Sequence, residues 1–264
     1  VTVWYYLLAD DPSAYNNIIK NYNVVVQDEI SMLDNDNKAK IFERFDRCKI
    51  IMCGDAGYQL SGFSIDENKP YKEFQEDGFD NIVKHTKNYR FKCKLLEQNM
   101  ECIRHLIDVE REYGRHGLVK QYILDKKNGF NIIEDIEDYK ATDMILARTH
   151  KVKDIYTDTY KDINKYYITS TDRQHCKGEI VISDEAPKNG VIRHCFTVHS
   201  IQGETAENNL YIDLEGMNCS KAIHTAIGRA RTMNQIFILN KIKPKANNDH
   251  SQSKIYALMT SKLI

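Results

Sequence analysis

The stretch Phe196–Leu239, FTVHSIQGETAENNLYIDLEGMNCSKAIHTAIGRARTMNQIFIL, holds more chemistry-bearing groups than any other part of the chain. It reads as strand, tight turn, helix start, strand, helix, strand, an alternation that belongs to α/β architecture. Thr197, His199, Ser200, Gln202, Gly203, Glu204 and Thr205 crowd the first turn with hydroxyls, amides and one carboxylate, which a plain core strand has no use for. Arg229 and Arg231 are expected on the helix beginning near Ser220. Such an array suits anions: a nucleic-acid backbone, a nucleotide, or both.

TVHSIQGET resembles the fifth signature motif of superfamily 1 helicases, the RecD and UvrD kind. TAIGRAR resembles their sixth, which usually carries Ser or Thr where this chain has Gly228. The two follow in the family's order, with a strand between them.

The remaining composition bounds the answer. A chain of 264 residues accommodates two ordinary domains. Hydrophobic residues make up 42% and charged residues 28%, as in globular proteins, and no apolar run reaches the roughly 18 residues of a membrane span. A formal net charge of -1 argues against a histone-like or tail-type nucleic-acid binder but leaves room for a local basic groove. Seven cysteines, at 48, 53, 93, 102, 176, 195 and 219, are scattered and contain no CxxC pair. Neither a disulfide framework nor a zinc site is indicated, and the expected compartment is reducing.

Upstream, the apolar run of residues 1–9 is followed by a helix predicted around Ser13 to Asn21. Val24, Val25 and Val26 predict a buried strand that ends at Gln27, Asp28 and Glu29. Taken alone, an acidic pair there reads as a solvated turn. Beside the other motifs it resembles a Walker B motif, although Gln27 stands where the family has an apolar residue. A helix from about Asn37 to Phe45 leads to a second buried strand, Lys49–Cys53, and GDAGYQL follows it, resembling the helicases' third motif with Gln59 as its amide. Two βα units ending in acid and amide groups at one sheet edge suit a nucleotide fold.

Residues 61–83 carry no clear period and read as loop with room for one short helix. Asn88-Tyr89-Arg90 resembles the fourth motif. From Cys93 to Arg115 the apolar residues recur at three and four positions, predicting an amphipathic helix. Ile132 and Ile133 suit an edge strand. Asp143–Ala147 is a further buried strand, which brings Arg148, Thr149 and His150 to a sheet edge. Between Tyr156 and His194 short β-like runs flank Pro187 and Asn189-Gly190, predicting a small β insertion. Lys241, Lys243 and Lys245 precede a final helix from about Ser251.

The resemblance implies an α/β protein of two RecA-like domains with parallel sheets, the first one incomplete and a small β insertion in the second. Residues 1–65 would be the remaining part of the first domain, 66–84 a linker, and 85–264 the second domain with its insertion at about 160–194. The cofactors implied are ATP and Mg²⁺. Asp28 would hold the metal through water, Glu29 would activate the attacking water, and Gln59 and Arg90 would engage the γ-phosphate. Arg229 would be the arginine finger, an effect worth about 10³ to 10⁵ in rate in related enzymes. Gln202, Gly203 and Glu204 would contact the nucleotide, Glu204 at the ribose, while Thr149, Thr197, His199 and Ser200 would touch the nucleic-acid backbone.

No GxxxxGK[ST] phosphate loop occurs in the sequence. The family places that loop before the Walker B strand, so the resemblance covers roughly the last two thirds of a helicase core. The expectation is therefore a fragment of an ATP-dependent DNA helicase, with the loop on a missing upstream segment and poor ATP hydrolysis by this chain alone. Its partners would be single-stranded DNA or RNA, that upstream segment and replication proteins, with no membrane, in the cytoplasm or a viral replication compartment. Two alternatives stay open: a degenerate nucleic-acid-binding or scaffold module, and a viral RNA helicase.

Overall fold

The structure, a computed structural model, describes residues 23–62, 74–85, 88–172, 174–175 and 178–240. The apolar run 1–9, the helix expected at Ser13–Asn21, residues 66–73 of the expected linker, the tail lysines and the helix expected from Ser251 lie outside them. The chain divides into two compact units, Val1–His85 and Thr86–Ile264.

In the first unit the β-branched run forms β1 (Val24–Gln27), and Asp34 starts α1 (Asn35–Arg44) by accepting the Asn37 amide hydrogen at 2.7 Å. That cap begins the helix two residues before the predicted Asn37. Strand β2 (Lys49–Met52) then pairs parallel with β1, Val25 opposite Ile50 and Gln27 opposite Met52. Both strands were expected to be buried throughout, but they alternate. Val25 packs with Ile30, Leu33, Ile41 and Phe45, whereas Val24, Val26 and Ile51 are exposed. Parallel strands need cover on both faces to read as continuous apolar runs, and α1 covers one face here. Lys38 reaches from α1 to the carbonyl of Gln75 at 2.9 Å and fastens the following loop.

The second unit opens with α2 (Lys94–Tyr113), whose inward stripe is Leu96, Met100, Ile103, Leu106 and Ile107. It stops at Gly114, whose φ of 61° supplies the left-handed cap that ends many helices. Buried Glu110 accepts the Leu118 amide hydrogen at 2.6 Å and caps α3 (Leu118–Leu124). Strand β3 (Asn131–Ile133) follows, then β4 (Met144–Ala147) and α4 (His150–Thr159). Next come the short strands β5 (Lys165–Ile168), β6 (Ile180–Ile182) and β7 (Gly190–Ile192). The unit continues through β8 (Cys195–Thr197), β9 (Leu210–Asp213), α5 (Ser220–Ile227) and β10 (Ile236–Leu239).

Five of these strands make an all-parallel sheet in the order β3-β10-β9-β4-β8, with Ile132 and Ile133 on its edge as predicted. Strands β4 and β9 are buried at every residue, which explains the unbroken apolar run of β4 and the apolar Leu210–Ile212 of β9 before buried Asp213. The remaining three form a small antiparallel sheet, β6-β5-β7, inserted between α4 and β8.

A parallel sheet gathers the carboxyl ends of its strands at one edge. Ala147 lies opposite Thr197 in register, so the residues after β4 and after β8 are neighbours there. The helix start expected after Val198 is instead a run of turns through Gly203. Ser200 Oγ bonds back to the Thr197 carbonyl at 2.9 Å, and Gly203 adopts a φ of 93°, outside the right-handed helical region, so a helix does not propagate past it. Arg229 and Arg231, expected on the helix from Ser220, lie beyond its end. Helix α5 stops at Ile227, with Gly228 as its carboxyl cap.

Candidate nucleotide and nucleic-acid sites

In the first unit two loops interlock at the carboxyl ends of β1 and β2. Asp28 is exposed, and its Oδ1 accepts the Glu29 amide hydrogen at 2.8 Å. Among the described residues Glu29 is the non-glycine with a positive φ, 54°, a conformation that costs of order 1–3 kcal/mol and persists where the surroundings enforce it. Its Oε2 is enclosed and has no hydrogen-bond partner among the described residues. The Ile30 amide then donates to the Cys53 carbonyl at 3.1 Å, locking the acidic turn to the end of β2. Gly54 makes that approach possible: a Cβ there would stand 2.7 Å from Ile30 N. Asp55 caps the next turn through the Tyr58 amide at 3.0 Å, and that turn presents Gln59. Ser31 Oγ donates to Gln59 Oε1 at 3.0 Å. The loop that carries Asp28 and Glu29 and the turn that carries Gln59, read from separate motifs, are thus tied together through Ile30 and Ser31.

In the second unit the end of α5 gathers two cations. A helix carboxyl end leaves its last carbonyls without helical partners and carries partial negative charge, so guanidinium donors suit it. Arg90 Nη1 donates to the Gly228 carbonyl at 2.8 Å. Arg229 is 2% exposed; its Nε donates to the Thr225 carbonyl at 3.1 Å and its Nη1 to the Glu204 carbonyl at 3.1 Å. The Ala206 amide donates to the Arg229 carbonyl at 2.8 Å, so the Gln202–Glu204 turn and the arginine are bound in both directions. Arg90 and Arg229 thus meet at the end of α5, and Arg229 is tied to Glu204, the last residue of the Gln202–Gly203–Glu204 stretch.

The four residues read as nucleic-acid contacts sit at the same sheet edge. Thr149 caps α4, accepting the Val152 amide hydrogen at 3.3 Å. Thr197 is buried, and Ser200 is tied to it. His199 Nδ1 lies 3.2 Å from Arg148 Nη1. Ser31, Gly54 and Arg148 were given no role in the sequence. The signal for Gly54 was its place directly after a strand; Ser31 and Arg148 become visible when their partners are known.

Away from this edge, at the amino ends of β4 and β8, lies a sealed polar cluster. Lys165 is 3% exposed, bonded to the Asp143 carbonyl and to Tyr139 OH, and burial pushes its pKa down to about 8. His194 is wholly buried, and burial with the nearby Lys165 charge lowers its pKa to about 4. Burial likewise drives the Cys195 thiol and the Tyr139 hydroxyl up.

The parallel five-stranded sheet with its helices has the RecA-like α/β fold, and solved structures share that fold. They are Pif1 helicases, members of superfamily 1. A Candida albicans Pif1 helicase superposes with a TM-score of 0.60 at 12% identity, covering 94% of this chain and 80% of that one. Pif1 helicases solved for DNA unwinding at forked double-stranded DNA give 0.56 at 14% identity, covering 93% and 76%. Bacteroides Pif1 bound to single-stranded DNA gives 0.56 at 13% identity, covering 93% and 77%. The likeness is one of fold, and it does not single out the RecD or UvrD kind. No protein-family model matches the sequence, and no curated protein matches it. Among the described residues no helix is long and apolar enough to cross a membrane.

Proposed function

We propose that the chain is part of an ATP-dependent helicase motor that moves on single-stranded nucleic acid. The observation that carries this reading is the Ser31–Gln59 bond, which ties the loop that follows the acid pair to the amide of a separate motif at the end of the two strands. The Pif1 neighbours described with forked and single-stranded DNA support the choice of nucleic acid.

The residues suit a nucleotide-borne Mg²⁺. Among the described residues there is no cluster of three ligating side chains that would hold an ion alone, and Mg²⁺ commonly binds through one or two carboxylates plus waters and substrate phosphates. Asp28 would hold it, and the ion would neutralise phosphate charge. Glu29, with an oxygen held out of solvent, would orient the attacking water and take its proton. The Gln59 carbonyl accepts from Ser31, so its NH₂ group is the end suited to a phosphate oxygen. Arg90 would neutralise charge on the γ-phosphate; Arg229, buried and bonded to the Thr225 and Glu204 carbonyls, would have to leave them to do the same, and Glu204 would hold the ribose. The motor also requires a phosphate-binding loop, which we assign to another segment of the same protein. Thr149, Thr197, His199 and Ser200 would meet the strand backbone.

Titrating the chain with short DNA and RNA single strands tests the nucleic-acid half. Binding should weaken as salt rises, because phosphate contacts release counterions. Absence of binding to either strand contradicts the reading, and preference for RNA would move the substrate to the viral alternative.

A further inference from the structure

The small sheet β6-β5-β7 meets the parallel sheet through β5. Side chains alternate along a strand, so Lys165 and Tyr167 share one face of β5. That face turns to β8: the Tyr167 and Phe196 rings stand 6.1 Å apart, and Lys165 Nζ lies 5.8 Å from the Phe196 ring centroid. Arg193 covers the Tyr167 ring at 4.1 Å, and Ile168, on the other face of β5, is wholly buried. Apolar packing of this kind holds the insertion without choosing its angle, because it is non-directional. Lys165 adds direction. Its Nζ donates to the Asp143 carbonyl and, at 3.3 Å, to Tyr139 OH, and among the described residues it is in no ion pair. Asp143 is a fixed point of the parallel sheet: its carboxylate accepts the amide hydrogens of Asn209 at 3.2 Å and of Lys140 at 3.0 Å, and its own amide donates to the Lys140 carbonyl at 2.9 Å.

We propose that Lys165 is a positioning residue that docks the β6-β5-β7 insertion at one angle on the amino ends of β4 and β8. A buried ammonium without a carboxylate against it is costly, and a methionine of similar length would fill the same space. What the ammonium supplies and a thioether does not is a pair of hydrogen bonds in set directions, aimed at a backbone carbonyl that cannot move. The angle matters beyond the insertion, because β7 ends at Ile192 and β8 begins at Cys195. The strand that enters the Thr197–Ser200 turn therefore leaves the insertion in a fixed direction, whatever that turn binds.

The test is nuclear magnetic resonance of the full chain in a weakly aligning medium, with residual dipolar couplings read separately for the amides of β5, β6 and β7 and for those of the five-stranded sheet. In wild type both sets should fit one alignment. In Lys165→Met the couplings of the five-stranded sheet should stay, while those of the insertion should fall about twofold or more as it samples other angles. Tyr139→Phe, which removes one of the two acceptors and keeps the ring, should lower the insertion's couplings by less. A K165M insertion that still fits the wild-type alignment overturns the proposal. So does a loss shared equally by both sheets, which would make Lys165 a residue of general stability rather than of orientation. Should K165M fail to fold, Y139F carries the test, and insertion couplings unchanged there overturn the proposal equally.

Discussion

Ser31 and Gln59, 28 residues apart in sequence, are joined by a 3.0 Å hydrogen bond in which the hydroxyl donates to the amide carbonyl. Ser31 is 3% exposed, so water does not readily replace it. Ser31→Ala should lower the free energy of unfolding by about 1 kcal/mol, a typical net value for such a bond. Urea titration checks it, and an unchanged midpoint would mean that the two loops are held by other contacts.

Gly54 is the hinge of the same cluster. Its φ of 143° disfavours any side chain, and a Cβ would press on Ile30 N, a backbone atom that cannot swing aside. Gly54→Ala should destabilise the chain by about 2 kcal/mol or more. A circular-dichroism melt that matches wild type would show that the acidic turn can be displaced without cost.

The buried pair Lys165 and His194 makes stability depend on pH in two windows. Both are bases whose folded pKa is depressed, so within each window the unfolded chain binds more protons and stability rises with pH. For His194 the rise runs from about 4 to the ordinary 6.5, and stability is lost as pH falls through that range. For Lys165 the penalty is fully present at neutral pH and relieved between about 8 and 10.5. The raised Cys195 and Tyr139 act oppositely at high pH, because there the unfolded chain loses protons first. The difference in unfolding free energy between wild type and Lys165→Met should therefore shift in favour of wild type from pH 8 upward. A flat difference curve would contradict the assigned burial.

Much of this fold could be read in the sequence, for physical reasons visible at particular residues. Strands β4 and β9 are buried on both faces, so Met144–Ala147 and Leu210–Ile212 are apolar runs. Helix α2 buries a stripe, so Leu96, Met100 and Ile103 recur at helical spacing. The exposed faces of β1 and β2 were not legible, because Val24–Val26 is equally apolar whether or not something covers it. The misplaced helix end at Arg229 has a similar origin. Periodicity continues through TAIGRAR, whereas the backbone is turned by Gly228 and by carbonyl bonds from Arg90 and Arg229. Motif order brought the candidate residues to notice, but the bonds that bring them together, Ser31 to Gln59 and Arg148 to His199, join parts of the chain that no local pattern links.

The most direct test is ATP turnover, in the presence of single-stranded DNA, by this chain alone and by a full-length protein that includes the phosphate-loop segment proposed above. The account predicts background hydrolysis by the chain alone and strand-stimulated hydrolysis by the full-length protein. In the latter, Glu29→Gln and Arg229→Ala should each lower turnover by about 10³, with Arg229→Lys recovering little because ammonium lacks the planar fork. Robust hydrolysis by the chain alone, or wild-type turnover by full-length Arg229→Ala, would contradict it.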